Sequence, residues 1–366
     1  MPAEVFFTDL RAKSGNNLLD KVDRLFDRAG LASLIKPRDL VAVKLHFGER
    51  GNLASVRPQF VRQIVGRIKA AGGKPFLTDA GTLYAGSRGN AVDHLETALG
   101  NGFAYATVDA PVVIADGLKG HDYVAVPIAL KHFETAKVAS AAFQADALIA
   151  VTHFKGHEAT GFGGVLKNIG MGLGTRAAKQ AMHSDVLPQV DRDKCIACGR
   201  CAEWCPAGAI SVVDGSAQID PKKCLGCGEC TITCTEGAVE ISWKSEPSTL
   251  QEKMVEYVYA VLKNKKGKAG FITFLLDISP NCDCWNYNDT PIVPDVGILA
   301  GTDPIALDQA CIDLVNAQPS LPNSAVDLPA GADKFRALYP YTDWNHQLAY
   351  GEQIGLGSRS YQLIRL

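Results

Sequence analysis

Eight of the eleven cysteines fall in two runs of identical spacing, Cys195-x2-Cys198-x2-Cys201-x3-Cys205 and Cys224-x2-Cys227-x2-Cys230-x3-Cys234. Cubane iron–sulfur clusters are held at this spacing, where three thiolates of one run meet one cube and the fourth crosses to the other. The expected ligand sets are therefore Cys195, Cys198, Cys201 and Cys234 for one 4Fe-4S cluster, and Cys224, Cys227, Cys230 and Cys205 for a second. A glycine after the second cysteine of each run, Gly199 or Gly228, eases the approach of backbone to inorganic sulfide. Two zinc sites built from the same thiols are the alternative, but they leave four cysteines per run and Pro206 after the fourth without a reason. In the second run Thr235 stands where proline is usual, which touches no ligand.

A second group of reactive side chains precedes the clusters: His153, His157, Lys167 and His183, with six glycines between Gly161 and Gly174. Histidine and lysine just past a parallel strand lie where open α/β sheets bind ligands. Glycines such as Gly161, Gly163 and Gly164 allow backbone N–H groups to face a cofactor's or substrate's carboxylate or phosphate. They do not form G-x-G-x-x-G at the proper place, so a dinucleotide site is weakly supported. The competing reading is a tight glycine turn with His153 and His157 hydrogen-bonded in a core. Farther on, Cys282 and Cys284 stand at C-x-C spacing, which suits a bound metal or cofactor, a redox pair, or two incidental thiols in a polar loop. Cys311 falls on the apolar stripe of a helix and reads as core, and Asp303 before Pro304 reads as an N-cap.

The elements that must position these groups alternate. Residues 39–47 read as a buried strand, 58–71 as a helix with Pro58 in its first turn and Phe60, Val61, Ile64, Val65 and Ile68 on one face, and 74–79 as the next strand. That βαβ unit implies parallel pairing. Further strands are expected at 146–154 and 271–278, a helix after a Ser248 capping box with Met254, Val255, Val258, Val261 and Leu262 inward, and another from Asp303-Pro304. A repeat of period 29 covers roughly residues 190 to 241, matching Lys194 with Lys223 and Gly208-Ala209-Ile210 with Gly237-Ala238-Val239. The fold class is α/β, with a largely parallel sheet core and an inserted small α+β ferredoxin-like domain. Residues 1–187 form an α/β domain with the candidate site, 188–245 the two-cluster insert, and 246–366 the portion that completes the core.

The 366 residues exceed one usual compact domain, and an apolar fraction of 47% with 21% charged residues is ordinary for a globular chain. The formal charge of −2, about −6 with two dicationic cubanes on eight thiolates, disfavours nucleic acid, and no basic patch reverses it. No apolar run reaches the roughly 18 residues of a membrane span, and the N-terminal residues lack a secretory start, so a cytoplasmic location is expected.

The segments Val43-Lys44-Leu-His-Phe-Gly-Glu49, Thr82-Leu-Tyr84, His153-Phe-Lys-Gly-His157, Gly161-Phe-Gly-Gly164, Leu166-Lys-Asn168 and Cys282-Asp-Cys284 resemble the family of domain of unknown function 362, in its ferredoxin-containing form, over nearly the entire chain. The order Arg57-Pro58, His157, Lys167 and His183 also resembles the N-terminal domain of nickel-pincer lactate racemases. This second resemblance implies that Arg57 clamps an anion, His157 transfers protons, Lys167 anchors a cofactor and His183 ligates an additional metal. The racemases carry a further histidine where residues 79–88 have none, which leaves His94 or another group to substitute; they lack the cysteine insert and have a longer C-terminal domain. The leading expectation is an oxidoreductase in which two clusters relay electrons from a redox partner protein to a site acting on a small anionic substrate. A dedicated electron carrier, and a non-redox metalloenzyme or cofactor-maturation protein with structural or sensory clusters, are the alternatives.

Overall fold

The computed structural model describes the chain except residues 1, 85, 184–186, 225 and 241–245, so the last residues of the expected insert lie outside the described residues. Its centre is an eight-stranded sheet. In spatial order the strands are Tyr361–Arg365, Ala3–Thr8, Gly297–Gly301, Ala269–Leu275, Ala147–His153, Leu40–Lys44, Lys74–Asp79 and Val112–Ile114. All run the same way except Gly297–Gly301, which is antiparallel to both neighbours. The C-terminal portion thus supplies three strands to the sheet begun by the N-terminal portion.

Alternation along the central strand shows why the sheet needs two covers. Ala147, Ile149 and Val151 feed one apolar core, while Leu148 and Ala150 feed the other, and all are buried. On the first face pack the helices Leu18–Arg28 and Pro58–Ala70, the latter through Phe60, Val61, Ile64, Val65 and Ile68. The second face carries Val165–Gly170, Pro247–Leu262, Pro304–Asn316 and Asn345–Gln353. Pro304–Asn316 is capped by Asp303, which accepts from the amides of Ile305 and Ala306, and Cys311 is buried in the core. The expected Ser248 capping box does not form. Pro247 opens that helix, Glu246 is its N-cap, and no side chain caps it, because proline fixes the first turn one residue before Ser248.

The two halves of the repeat fold alike at the level of single bonds. Ala209 donates to the Cys205 sulfur at 3.3 Å and Ala238, 29 positions on, to the Cys234 sulfur at 3.2 Å. Cys195 and Cys224 each donate a backbone N–H to the aspartate four residues earlier, and Gly199 and Gly228 both take left-handed backbone before a short helix. Gln189–Val190 pairs with Val239–Glu240, and Ile210–Val213 with Ser216–Ile219. The buried apolar cluster here is small: Cys201, Ile210, Ala217, Cys230 and Val239. Among the described residues no helix is long and apolar enough to cross a membrane.

Candidate functional site

The parallel strands dictate where a site forms. From Leu40–Lys44 the chain moves to Lys74–Asp79 on one side, whereas from Ala147–His153 it moves to Ala269–Leu275 on the other. The carboxyl ends of Leu40–Lys44 and Ala147–His153 therefore flank a topological switch point, the place where open α/β sheets bind ligands. The segments at and just beyond these strand ends are rich in ionisable groups: Lys44 and His46, Asp79 and Arg88, His153 to His157, and the loop Asp277 to Cys284.

That last loop carries the thiols and is pinned at its middle. Asp283, fully buried, faces the His153 Nδ1 at 2.9 Å and the Lys155 Nζ at 3.1 Å. The other His153 nitrogen faces the carbonyls of Leu276 and Asp277 at 2.9 and 3.2 Å, so this ring ties the strand end to the thiol loop. Burial opposes the Asp283 charge, but His153 and Lys155 outweigh it and hold the carboxyl well below the usual carboxylate range. Gly156 donates to the Ser279 carbonyl at 2.8 Å, and a Cβ there would collide with the Pro280 carbonyl, so only glycine lets the loop sit this close.

So held, Cys282 points its buried sulfur at Lys167, whose Nζ donates at 2.9 Å. The Cys284 amide donates to the same sulfur at 3.4 Å. A hydrogen bond from the Cys284 thiol, followed by the Lys167 charge and a bond from His157, overcomes burial and pushes the Cys282 thiol well down. The Cys284 thiol, donor in that bond, is pushed well up. Burial works against the Lys167 charge, but the two sulfurs outweigh it and raise the ammonium's pKa. The Nδ1 of His157 accepts from the Ala159 amide at 3.1 Å, leaving Nε2 to carry the proton toward Cys282. His183, at the end of Arg176–His183, is pushed down to about 3 chiefly by burial, with the charges of Lys167, Lys179 and Lys253 acting the same way, and stays neutral.

The structure therefore brings His157, Lys167, Cys282 and Cys284 together, with His183 within their electrostatic reach. Arg57 stands apart from these contacts: it is exposed and pairs with Asp277 at 3.1 Å. Gly161 and Gly163 lie in a short strand antiparallel to Lys155–His157, and Gly163 leaves room for the stems of Lys155 and Lys167. The carboxylate met by the helix start after Gly164 is internal. Asp308 accepts from the amides of Val165 and Leu166 at 2.8 and 3.0 Å, and a Cβ on Gly164 would strike it. His94 is a core residue, stacked edge-on against Phe47, 3.8 Å from Asp79 and pushed down to about 3 chiefly by burial.

Sequence reasoning passed over a second charged group on the other side of the switch point. Lys44 bonds Asp79 at 3.0 Å and Asn168 at 2.7 Å, Arg88 meets Glu49 at 3.1 Å, and Arg88 also bonds the Tyr84 hydroxyl. The Glu49 amide donates to the Asp283 carbonyl at 3.2 Å, and Asn52 bonds the carbonyls of Trp285 and Tyr287, clasping the thiol loop. Burial outweighs the Arg88 charge and pushes the Tyr84 phenol well up. The signals were an aspartate flanked by two cysteines, a lysine between two histidines, and charges at the predicted strand ends.

Tyr84 also connects this centre to the cysteine insert. Its neighbour Leu83 is buried against Gly228, where a Cβ would run into the leucine, and Arg176 bonds both the Gly228 carbonyl and the Glu229 carboxylate. The eight cysteines carry no disulfide and stand around two pockets. One, of ≈ 360 Å³ with its mouth included, is lined by Cys195, Cys198, Cys201 and Cys234. The other, of ≈ 320 Å³, is lined by Cys205, Cys224, Cys227 and Cys230. Among the described residues no group of three or more His, Cys, Asp or Glu side chains is arranged to hold a single metal ion.

A family profile described as a domain of unknown function, DUF362, matches residues 41–313. No curated protein matches the chain. Among solved structures it is similar to the lactate racemase apoprotein from Thermoanaerobacterium thermosaccharolyticum, at 13% identity and a TM-score of 0.43. That likeness covers 87% of this chain, which spans 59% of the racemase's length.

Proposed function

The chain belongs to the DUF362 family, and we propose that this member binds two 4Fe-4S clusters and relays single electrons from a redox partner protein to the lysine–thiol centre, where a small anionic substrate reacts. The observation that carries the reading is how the cysteines sort. Each pocket takes three cysteines from one run and the fourth from the other, so neither run completes a site alone. Backbone N–H groups of Ala217, Ala209, Gly226 and Ala238 point at the sulfurs of Cys195, Cys205, Cys224 and Cys234, which lowers thiolate charge as a bound cluster requires. Each cluster, when bound, stores and passes one electron at a time.

The run that holds Cys227 and Cys230 faces the body of the protein through Gly228 against Leu83 and Glu229 against Arg176, while Cys198 and the neighbouring Ile196 are exposed. Cys198 therefore marks the side for a partner, and Cys227 the side facing the centre. At the centre Lys167, Lys155 and His157 supply the donors a small anion needs.

Anaerobic isolation followed by iron and sulfide analysis, electron paramagnetic resonance and intact mass tests the proposal. About eight irons and eight sulfides per chain with reducible cubane signals are expected, and Lys167 and His183 are the residues to inspect for an adduct or a further metal. Zinc in place of iron, or clusters that no reductant reduces, would remove it. Alanine at Lys167 distinguishes an enzyme from a dedicated carrier, which would keep normal reduction kinetics with its partner.

A further inference from the structure

Cys282 and Cys284 are the thiols that the cluster ligands leave over at a functional position, and their surroundings are built for a change of oxidation state. We propose that they form a two-electron dithiol–disulfide couple, in which electrons delivered singly by the clusters are collected as a pair. The inference rests on the electron-relay reading above for its electron source. Its site, however, is defined by geometry alone.

Three features carry it. The two thiols stand two residues apart, and the Cys284 amide donates to the Cys282 sulfur at 3.4 Å, so the chain already folds the second position back onto the first sulfur. The loop holding them is clamped from both sides, by His153 and Lys155 on Asp283 and by the Glu49 amide on the Asp283 carbonyl, so closure needs no rearrangement of its base. The Lys167 ammonium donates to the Cys282 sulfur at 2.9 Å, the arrangement that stabilises one thiolate and one thiol in the reduced pair.

The balance is simple. In oxidation the Cys282 thiolate and the Cys284 thiol form one S–S bond, releasing one proton and two electrons. In reduction two single electrons, supplied by reduced iron–sulfur clusters, and one proton restore the thiolate–thiol pair. Leu83 touches Gly228 between Cys227 and Cys230, and its neighbour Tyr84 bonds Arg88, which pairs with Glu49, whose amide donates to the Asp283 carbonyl between the two thiols. Electrons leaving the second pocket therefore meet this pair across Leu83 and Tyr84. Cys282 is wholly buried and Cys284 partly so, which suits the couple to a small molecule rather than to a protein disulfide.

Trypsin isolates the pair conveniently, because no lysine or arginine lies between Lys268 and Lys334, and that peptide holds Cys282, Cys284 and Cys311. Anaerobic holoprotein poised with dithionite or with ferricyanide is acid-quenched, alkylated with iodoacetamide and digested. The expected result is three alkylated cysteines after reduction and one, Cys311, after oxidation, with Cys284→Ser abolishing the change. In a coulometric titration the wild type should take up two more electrons per chain than Cys284→Ser. Three alkylated cysteines under both conditions, or equal electron counts, overturn the couple, as would a stoichiometric metal that keeps both thiols bound at every potential. Iron-free protein would sink the relay reading instead; the same peptide is then poised with reduced and oxidised dithiothreitol, where an unchanged alkylation count overturns the couple.

Discussion

The cysteine insert and the lysine–thiol centre are both made of sulfur and charge, yet they are held by opposite means. In the insert five buried residues, two of them cysteines, form the apolar cluster, and its strands pair only two at a time. At the centre Lys44, Asp79 and His153 end buried strands, and Asp283 and Asn168 are bonded to them, so the ion pairs are anchored to the sheet that separates the two large cores. A domain with so little core depends on what its thiolates bind, whereas a centre built on a sheet is shaped before any ligand arrives.

Removing the bound metal breaks the comparison most widely. Iron chelation under anaerobic conditions should strip amide-exchange protection from residues 189–240 by orders of magnitude, while protection in Ala147–His153 and Ala269–Leu275 stays put. Equal loss in both regions would mean that the sheet is not independently stable.

Mutating Asp283 attacks the other side. Asp283→Ala leaves His153 and Lys155 buried without their shared carboxylate and should cost about 3–5 kcal/mol in denaturant unfolding. The sign with pH comes from the depressed Asp283 carboxyl: its stabilisation is complete above the ordinary carboxylate value of about 3.9 and fades as pH falls below it. The gap between wild type and Asp283→Asn should therefore narrow on acidification below about pH 4 and stay constant from about pH 5 to 7. A gap that widens in acid would show that another group governs the loop.

The same contrast explains what could be read beforehand. Cluster spacing is local, so eight cysteines disclose their pairing in forty residues, and the Pro58 helix and the Lys74–Asp79 strand arise from short-range pattern. The centre is assembled from residues as far apart as Glu49 and Asp283, and no local period links them. Histidines were legible as a group but not in role: His153 anchors a loop, His94 packs in a core, and His157 meets a thiol. Asp308 could not be foreseen, because it reaches the helix start after Gly164 from more than a hundred residues away.

A smaller effect is expected at Lys167. Without its ammonium the Cys282 thiolate loses one of the charges that offset burial, so Lys167→Met should raise the thiol pKa. At neutral pH iodoacetamide would then label Cys282 about tenfold more slowly or less, read by mass in the dithionite-reduced protein. An unchanged rate would assign the activation of Cys282 to Cys284 and His157 alone.

The smallest change in stability belongs to Arg57, and it sharpens what the centre recognises. Arg57 precedes the helix Pro58–Ala70 and pairs with Asp277, both side chains being largely exposed. Solvent screens such a pair, so a double-mutant cycle of Arg57→Ala and Asp277→Ala should give a coupling of about 1 kcal/mol or less. A guanidinium held so weakly leaves its carboxylate at little energetic cost, which is the property an anion clamp at the rim of the site needs. Any small carboxylate that raises the wild-type Tm by binding should then lose most of that shift in Arg57→Ala, although the ligand-free variant melts almost as wild type does. Equal shifts in both proteins would take Arg57 out of the anion site and leave recognition to Lys155, His157 and Lys167, the donors that the sheet itself holds in place.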